Sequence, residues 1–326
     1  MYRAIMVPLD GSAFGEHALS LALGIARRAC AQVHLIHVRT PSAEVRASED
    51  RVAVEQMPTA TDQERMAIYL RDLATYLSER WEVVIKASIL DGPVAETLQA
   101  YVQENGIDLT IMTTHGYGPL SRIWMGSIAD ALVRLLSSPI VLVRPHAEAI
   151  DLLETVHEQA FEHILIPLDG SKLAESILEP AIELGALMQA RYTLLQAIEP
   201  LIKGYIPGPY AGLMDADLLE PWRTETKAYL EQVADRIREH GLRVETKAPI
   251  AYAPDVILDY ARDHAVDFIA MATHGRSGLS RVLMGSIAST IVCRAGVPIL
   301  LYRPSAEAFQ NAAANEDQMA ESTMAW

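Results

Sequence analysis

One block of sequence appears twice in this chain, and the repetition limits the folds available to it. IMVPLDGS at 5–12 returns as ILIPLDGS at 164–171, and MTTHG at 112–116 returns as MATHG at 271–275. LSRIWMGSIA at 120–129 returns as LSRVLMGSIA at 279–288, and SPIVLVRP at 138–145 as VPILLYRP at 297–304. Asp10 and Asp169, Gly126 and Gly285, and Pro139 and Pro298 all stand 159 positions apart. Four landmarks in one register define a duplicated domain of about 145 residues, long enough for each copy to bury its own core. The division expected is a first domain at 1–145, an acidic linker at 146–162, a second domain at 163–304, and a disordered tail at 305–326.

Within each copy, apolar runs too short for helices alternate with segments of helical period. In copy one the expected strands are Ala4–Leu9, Gln32–Val38, Trp81–Ile89, Leu109–Thr113 and Ile140–Arg144. The expected helices are one capped by Ser12, then Glu64–Arg80, Val94–Asn105 and Ser127–Leu136, with loops at 40–60 and 114–126. Copy two follows the same order, with Leu201–Trp222, which contains GYIPGPY, expected as a loop or lid. Strand–helix alternation implies a parallel sheet with helices on both faces. The first strand of each copy lacks polar alternation, as strands buried on both faces do. The fold class is therefore α/β, as two tandem Rossmann-like domains.

Charge narrows the partners. The net charge is −15, which repels nucleic acid and anionic lipid. Five of the acids, Glu148, Asp151, Glu154, Glu158 and Glu162, fall in the linker, and Glu307, Glu316, Asp317 and Glu321 fall in the tail. No run of 18 apolar residues is present, so no membrane span is expected. MYRAIMVPLDGS lacks the charged and apolar regions of a signal peptide. The two cysteines, Cys30 and Cys293, stand far apart, which fits a reducing, cytoplasmic setting.

In open parallel sheets, ligands bind beyond the carboxyl ends of the strands, where strand order switches. In copy one, Pro8, Leu9 and Asp10 end the first strand, and Met112 and Thr113 end the fourth. Gly126, Ser127 and Ile128 then open a helix, whose unpaired N–H groups and positive partial charge suit a phosphate. Asp10 is suited to a ribose hydroxyl or a base amino group. Copy two repeats the set as Pro167, Leu168 and Asp169, Met271 and Ala272, and Gly285, Ser286 and Ile287. Each acid could instead cap a loop, and each Gly-Ser could be a plain N-cap. His115 and His274 lack a paired carboxylate and read as structural hydrogen-bonders; Arg122 and Arg281 could meet a phosphate or a surface acid.

At these residues the chain resembles the universal stress protein family, whose nucleotide signature is G-x2-G-x9-G-[ST]. His115-Gly116 followed by nine residues and Gly126-Ser127 matches its second half, as does His274-Gly275 followed by nine residues and Gly285-Ser286. The first glycine is replaced by Thr113 and Ala272. The resemblance implies five strands per domain in the order 3-2-1-4-5. It implies ATP, with or without Mg2+, with the base near strands one and two beside Val38 (Ala197 in copy two). The triphosphate would lie over Gly116, Gly126, Ser127 and Ile128. It also implies pairing of the two domains through their fifth strands, and room for a further homodimer.

The function expected from the family is that of an ATP-binding stress-response sensor, acting through conformational or partner-binding change. Two alternatives remain: a slow ATP hydrolase or phosphotransferase, and an interaction scaffold that binds no nucleotide. The chain has no G-x4-G-K-[ST], no G-x-S-x-G, no H-E-x-x-H and no C-x-x-C, so no familiar catalytic motif supports a dedicated enzyme.

Overall fold

The computed structural model describes residues 2–40, 60–114, 125–145, 161–199, 216–274 and 284–303. The chain divides into two compact units, one ending at Ala160 and the other beginning at Phe161.

The first unit has strands β1 (Ala4–Pro8), β2 (Gln32–Arg39), β3 (Ile85–Asp91), β4 (Leu109–Thr113) and β5 (Ile140–Val143). Its helices are α1 (His17–Ala29), α2 (Ala60–Trp81), α3 (Val94–Glu104) and α4 (Ser127–Leu135). The strands are parallel, in the order β3-β2-β1-β4-β5. Strands β4 and β5 are buried throughout, which explains their unbroken apolar sequences. The β1 register is pinned at its start, where the backbone N–H groups of Arg3 and Ala4 donate to Asp108 Oδ2 at 2.7 and 3.1 Å.

The second unit repeats the design. Its strands are β6 (His163–Pro167), β7 (Arg191–Leu195), β8 (Val244–Lys247), β9 (Phe268–Ala272) and β10 (Ile299–Tyr302). They too are parallel, in the order β8-β7-β6-β9-β10. Its helices are α5 (Lys172–Glu175), α6 (Leu178–Met188), α7 (Ala216–Arg238), α8 (Ala253–Asp263) and α9 (Ser286–Arg294). Asp267 pins β6 as Asp108 pins β1, accepting from the N–H groups of Glu162 and His163 at 2.8 and 3.1 Å.

Core side chains compensate between the copies. A Cβ on Gly185 of α6 would collide with the Tyr192 hydroxyl and lie 2.7 Å from Ile164 Cδ1. Tyr192 is buried and donates to the Ile182 carbonyl at 3.0 Å. At the matching positions copy one carries Ala26 and Val33, both fully buried. One copy pairs glycine with tyrosine and the other alanine with valine, which keeps the local volume filled.

Three expectations about elements are corrected. Ser12 does not cap α1, which begins only at His17; it accepts from Gly15 N at 3.1 Å in a preceding turn. Tertiary contacts extend α2 to Trp81, so β3 starts at Ile85 and not at Trp81. Ala216–Trp222, read as the end of a loop, belongs to α7. Pro221 suggested a loop, but it lies inside this helix, in its second turn, at the expense of one backbone hydrogen bond. The loops expected at 40–60, 114–126 and 201–222 fall mostly outside the described residues, as do the linker and tail.

Candidate functional site

Two strand orders meet between β1 and β4, and between β6 and β9, so the crevice at the strand ends forms there. The loop leaving β1 turns sharply at Gly11, φ 81°, and the loop leaving β6 turns at Gly170, φ 85°. L-residues rarely adopt that conformation. The preceding aspartate holds each turn. Asp10 Oδ1 accepts from Ser12 N at 2.9 Å and Ser12 Oγ at 2.6 Å, and Asp169 Oδ1 accepts from Ser171 N and Oγ at the same distances. Each aspartate therefore ties its turn through one oxygen, the capping role the sequence left open, on a carboxylate set at the sheet's carboxyl edge. In copy two Ser171 also caps α5, accepting from Ala174 N at 3.1 Å.

The Gly-Ser pairs are not serine caps. Gly126 is the N-cap of α4 and Gly285 that of α9, and neither end carries a side-chain cap. Gly126 N donates to Thr114 O at 2.8 Å, and Gly285 N to Thr273 O at 2.9 Å. The first intrahelical bonds come from Asp130 N and Ser289 N. The N–H groups of Ser127 and Ile128, and of Ser286 and Ile287, thus have no intrahelical acceptor. Both serines are exposed, leaving their hydroxyls to solvent or ligand.

In copy two these parts share one cavity of about 410 Å³. Pro167, Leu168 and Asp169, Ala197, Met271, Ala272 and His274, and Gly285, Ser286 and Ile287 all line it. Gly275 lies outside the described residues. His274 is buried, with its ring Nδ1 3.0 Å from Thr273 Oγ1, which fits a structural hydrogen-bonder. The cavity also has walls that the sequence did not single out: Trp222 and Thr226 from α7, Ala253 and Ile257 from α8, and Gln196 and Glu199 after β7. Glu199 Oε1 accepts from Ala253 N at 3.0 Å, so this acid caps α8. Trp222 and Thr226, four apart on a helix, share a face, a signal hidden by reading Trp222 as loop.

In copy one the Leu9 N–H donates to Ile36 O at 2.8 Å, as the Leu168 N–H donates to Leu195 O in copy two. The Leu9 carbonyl also meets the His37 ring at 2.8 Å. Gln196 stands at the His37 position in copy two. Val38 pairs with Leu90 on β3, away from the switch point. Met112 and Thr113 are buried at the end of β4; His115, Gly116, Arg122 and Arg281 lie outside the described residues. The long helices match one position later than the motifs: Tyr69 and Tyr229 hydrogen-bond the paired acids Glu16 and Glu175. Burial pushes the Glu16 carboxyl above its ordinary value. Burial also acts on Glu175, but hydrogen bonds from Arg236 and Lys172 outweigh it and hold that carboxyl below its ordinary value.

Fold and crevice thus define a pair of doubly wound α/β domains, each with a crevice at its strand ends. The sequence profile of the universal stress protein family matches residues 1–144 and 160–303. The chain belongs to that family. A universal stress protein of Mycolicibacterium smegmatis is 23% identical over 314 residues, 92% of this chain and 97% of the relative. One from Methanocaldococcus jannaschii is 25% identical over 146 residues, 45% of this chain and 84% of the relative. Among solved structures, a functionally unknown protein of Pseudomonas aeruginosa aligns with a TM-score of 0.64 at 17% identity, covering 96% of this chain and 98% of that one. A universal stress protein of Archaeoglobus fulgidus aligns at 0.64 and 15% identity, covering 93% and 98%. Among the described residues no helix is long and apolar enough to cross a membrane.

Proposed function

We propose that this chain is an ATP-binding regulatory protein, whose occupancy sets its conformation or its choice of partner. One observation carries the reading. The copy-two cavity joins an apolar slot, the Asp169 turn and the amino end of α9 in one space of about 410 Å³, a size usual for small-molecule sites. The N–H groups of Ser286 and Ile287 and the Ser286 hydroxyl would meet a phosphate. Asp169 would face the sugar, and the apolar walls would take the base. Mg2+ would arrive with the triphosphate. Of the cavity's carboxylates Glu199 caps α8 and Asp169 ties the β6 turn; Asp169 would meet the sugar and the ion at the same edge.

Neither Cys30 nor Cys293 forms a disulfide, which agrees with a cytoplasmic location. A homodimer of the full chain belongs to the same reading, and light scattering tests it.

The decisive experiment releases and identifies any nucleotide from denatured protein, then titrates ATP and follows its turnover with Mg2+. Bound ATP that persists for hours supports the sensor. Steady hydrolysis supports the slow enzyme, and no binding leaves the scaffold.

A further inference from the structure

We infer that the two copies are unequal: copy two holds the nucleotide, gripped at the base by Trp222 and Thr226 of α7, and copy one does not. This rests on the nucleotide reading above and goes beyond it to name the copy, the stoichiometry and the residues that decide it.

Three differences between matched positions point the same way. Thr226 lines the copy-two cavity. Its counterpart on α2 is Met66, whose longer side chain lies over the strand-end turn: a Cβ on Gly11 would stand 2.7 Å from Met66 Cε. A short residue leaves room beside the Asp169 turn, whereas a long one fills the room beside Asp10. At the phosphate end, the first turn of α4 carries the acid Asp130, and the first turn of α9 carries no acid. A carboxylate there opposes an incoming anion at the one place where a helix otherwise attracts it. Arg134 pairs with Asp130 and offsets part of that charge.

The third difference is aromatic. Trp222 lines the cavity yet is 54% exposed. A large apolar ring left in water at a cavity mouth is a surface waiting for a flat partner. A purine ring stacked on it would remove that area from water. Copy one carries Asp62 at the matching sequence position. Gln196, also in the cavity wall, has its Oε1 buried with no hydrogen-bond partner among the described residues, and the exocyclic amino group of adenine would satisfy it.

Calorimetric titration of the full chain with ATP tests this. The expected result is one nucleotide per chain. Trp222→Ala should weaken binding by about 10-fold, the scale of a lost base–aromatic stack, and Trp222→Phe should recover most of it. Thr226→Met should remove the site, and Met66→Ala should leave the copy-two affinity unchanged. Trp222 is exposed, so its removal leaves the fold intact, and circular dichroism checks this. Two nucleotides per chain overturn the inference. So does single-site binding that both Trp222→Ala and Thr226→Met leave unaltered, while the nucleotide reading survives. No binding by the unaltered chain overturns both.

Discussion

Arg236 reaches Glu175 across 2.7 Å, from the turn of α7 at which α2 carries Tyr76. The acid is buried in both copies, but only copy two gives it this cation. The sign of its pH dependence therefore differs between copies. The Glu16 carboxyl is raised above its ordinary value by burial, so the folded state favours the protonated form. Its contribution is fully present below about pH 4.5 and is lost as pH rises through the folded value. Glu175 is lowered, so its contribution is present above about pH 4.5 and is lost as pH falls. Glu16→Gln should gain stability over the parent as pH rises from 4 to 7 (assay values of about that range). Glu175→Gln should lose stability over the same range. Urea unfolding at several pH values measures both. Because Arg236 is half exposed, Arg236→Ala should cost only about 1 kcal/mol.

Two buried histidines should make the fold sensitive to mild acid. His34 meets the Tyr101 hydroxyl at 2.8 Å, and His163 meets Thr193 Oγ1 at 2.8 Å. Burial lowers both below the ordinary 6.5, so the folded state prefers neutral rings. Their contribution is present above pH 6.5 and is lost as pH falls through the lowered values. Imidazole NMR signals should report both values below 6.5. A ring titrating at or above that value would contradict the assignment.

Ser286 separates binding from stability. It is exposed and caps nothing, so Ser286→Ala should shift stability by less than about 0.5 kcal/mol. The same change should weaken ATP by several-fold, since it removes a phosphate donor. Thermal melts with and without ATP give both numbers from one sample.

Gly185 tests the compensated core. Gly185→Ala drives a methyl into Tyr192 and Ile164 and should cost about 1–3 kcal/mol. Adding Tyr192→Val rebuilds the Ala26–Val33 pairing of copy one and should recover much of that loss. A double variant no more stable than Gly185→Ala would show that the two sites do not compensate.

Much of this was legible from residues. The strand end at Thr113 follows from a short apolar run, and those at Pro8 and Pro167 were read to within one residue, because hydrophobic pattern and strand burial are local. The loop-capping role left open for Asp10 and Asp169 was visible for the same reason: an aspartate bonding two residues on is a local event. Ser127 and Ser286 misled as caps because glycine at the preceding position took that role. Trp222 was missed because GYIPGPY and Pro221 looked like loop punctuation, while packing of Leu230, Val233 and Ile237 in the core sustains α7.

The sequence by itself determined the duplication, its 159-residue register and the strands that end at the crevice. These depend on composition and spacing along the chain. Only the tertiary structure decided that Thr226 lines a cavity where Met66 covers a turn, and that Glu175 is ion-paired where Glu16, among the described residues, is not. Those outcomes turn on side-chain length and charge between residues some fifty positions apart in sequence, and such distances exist only once the chain has folded.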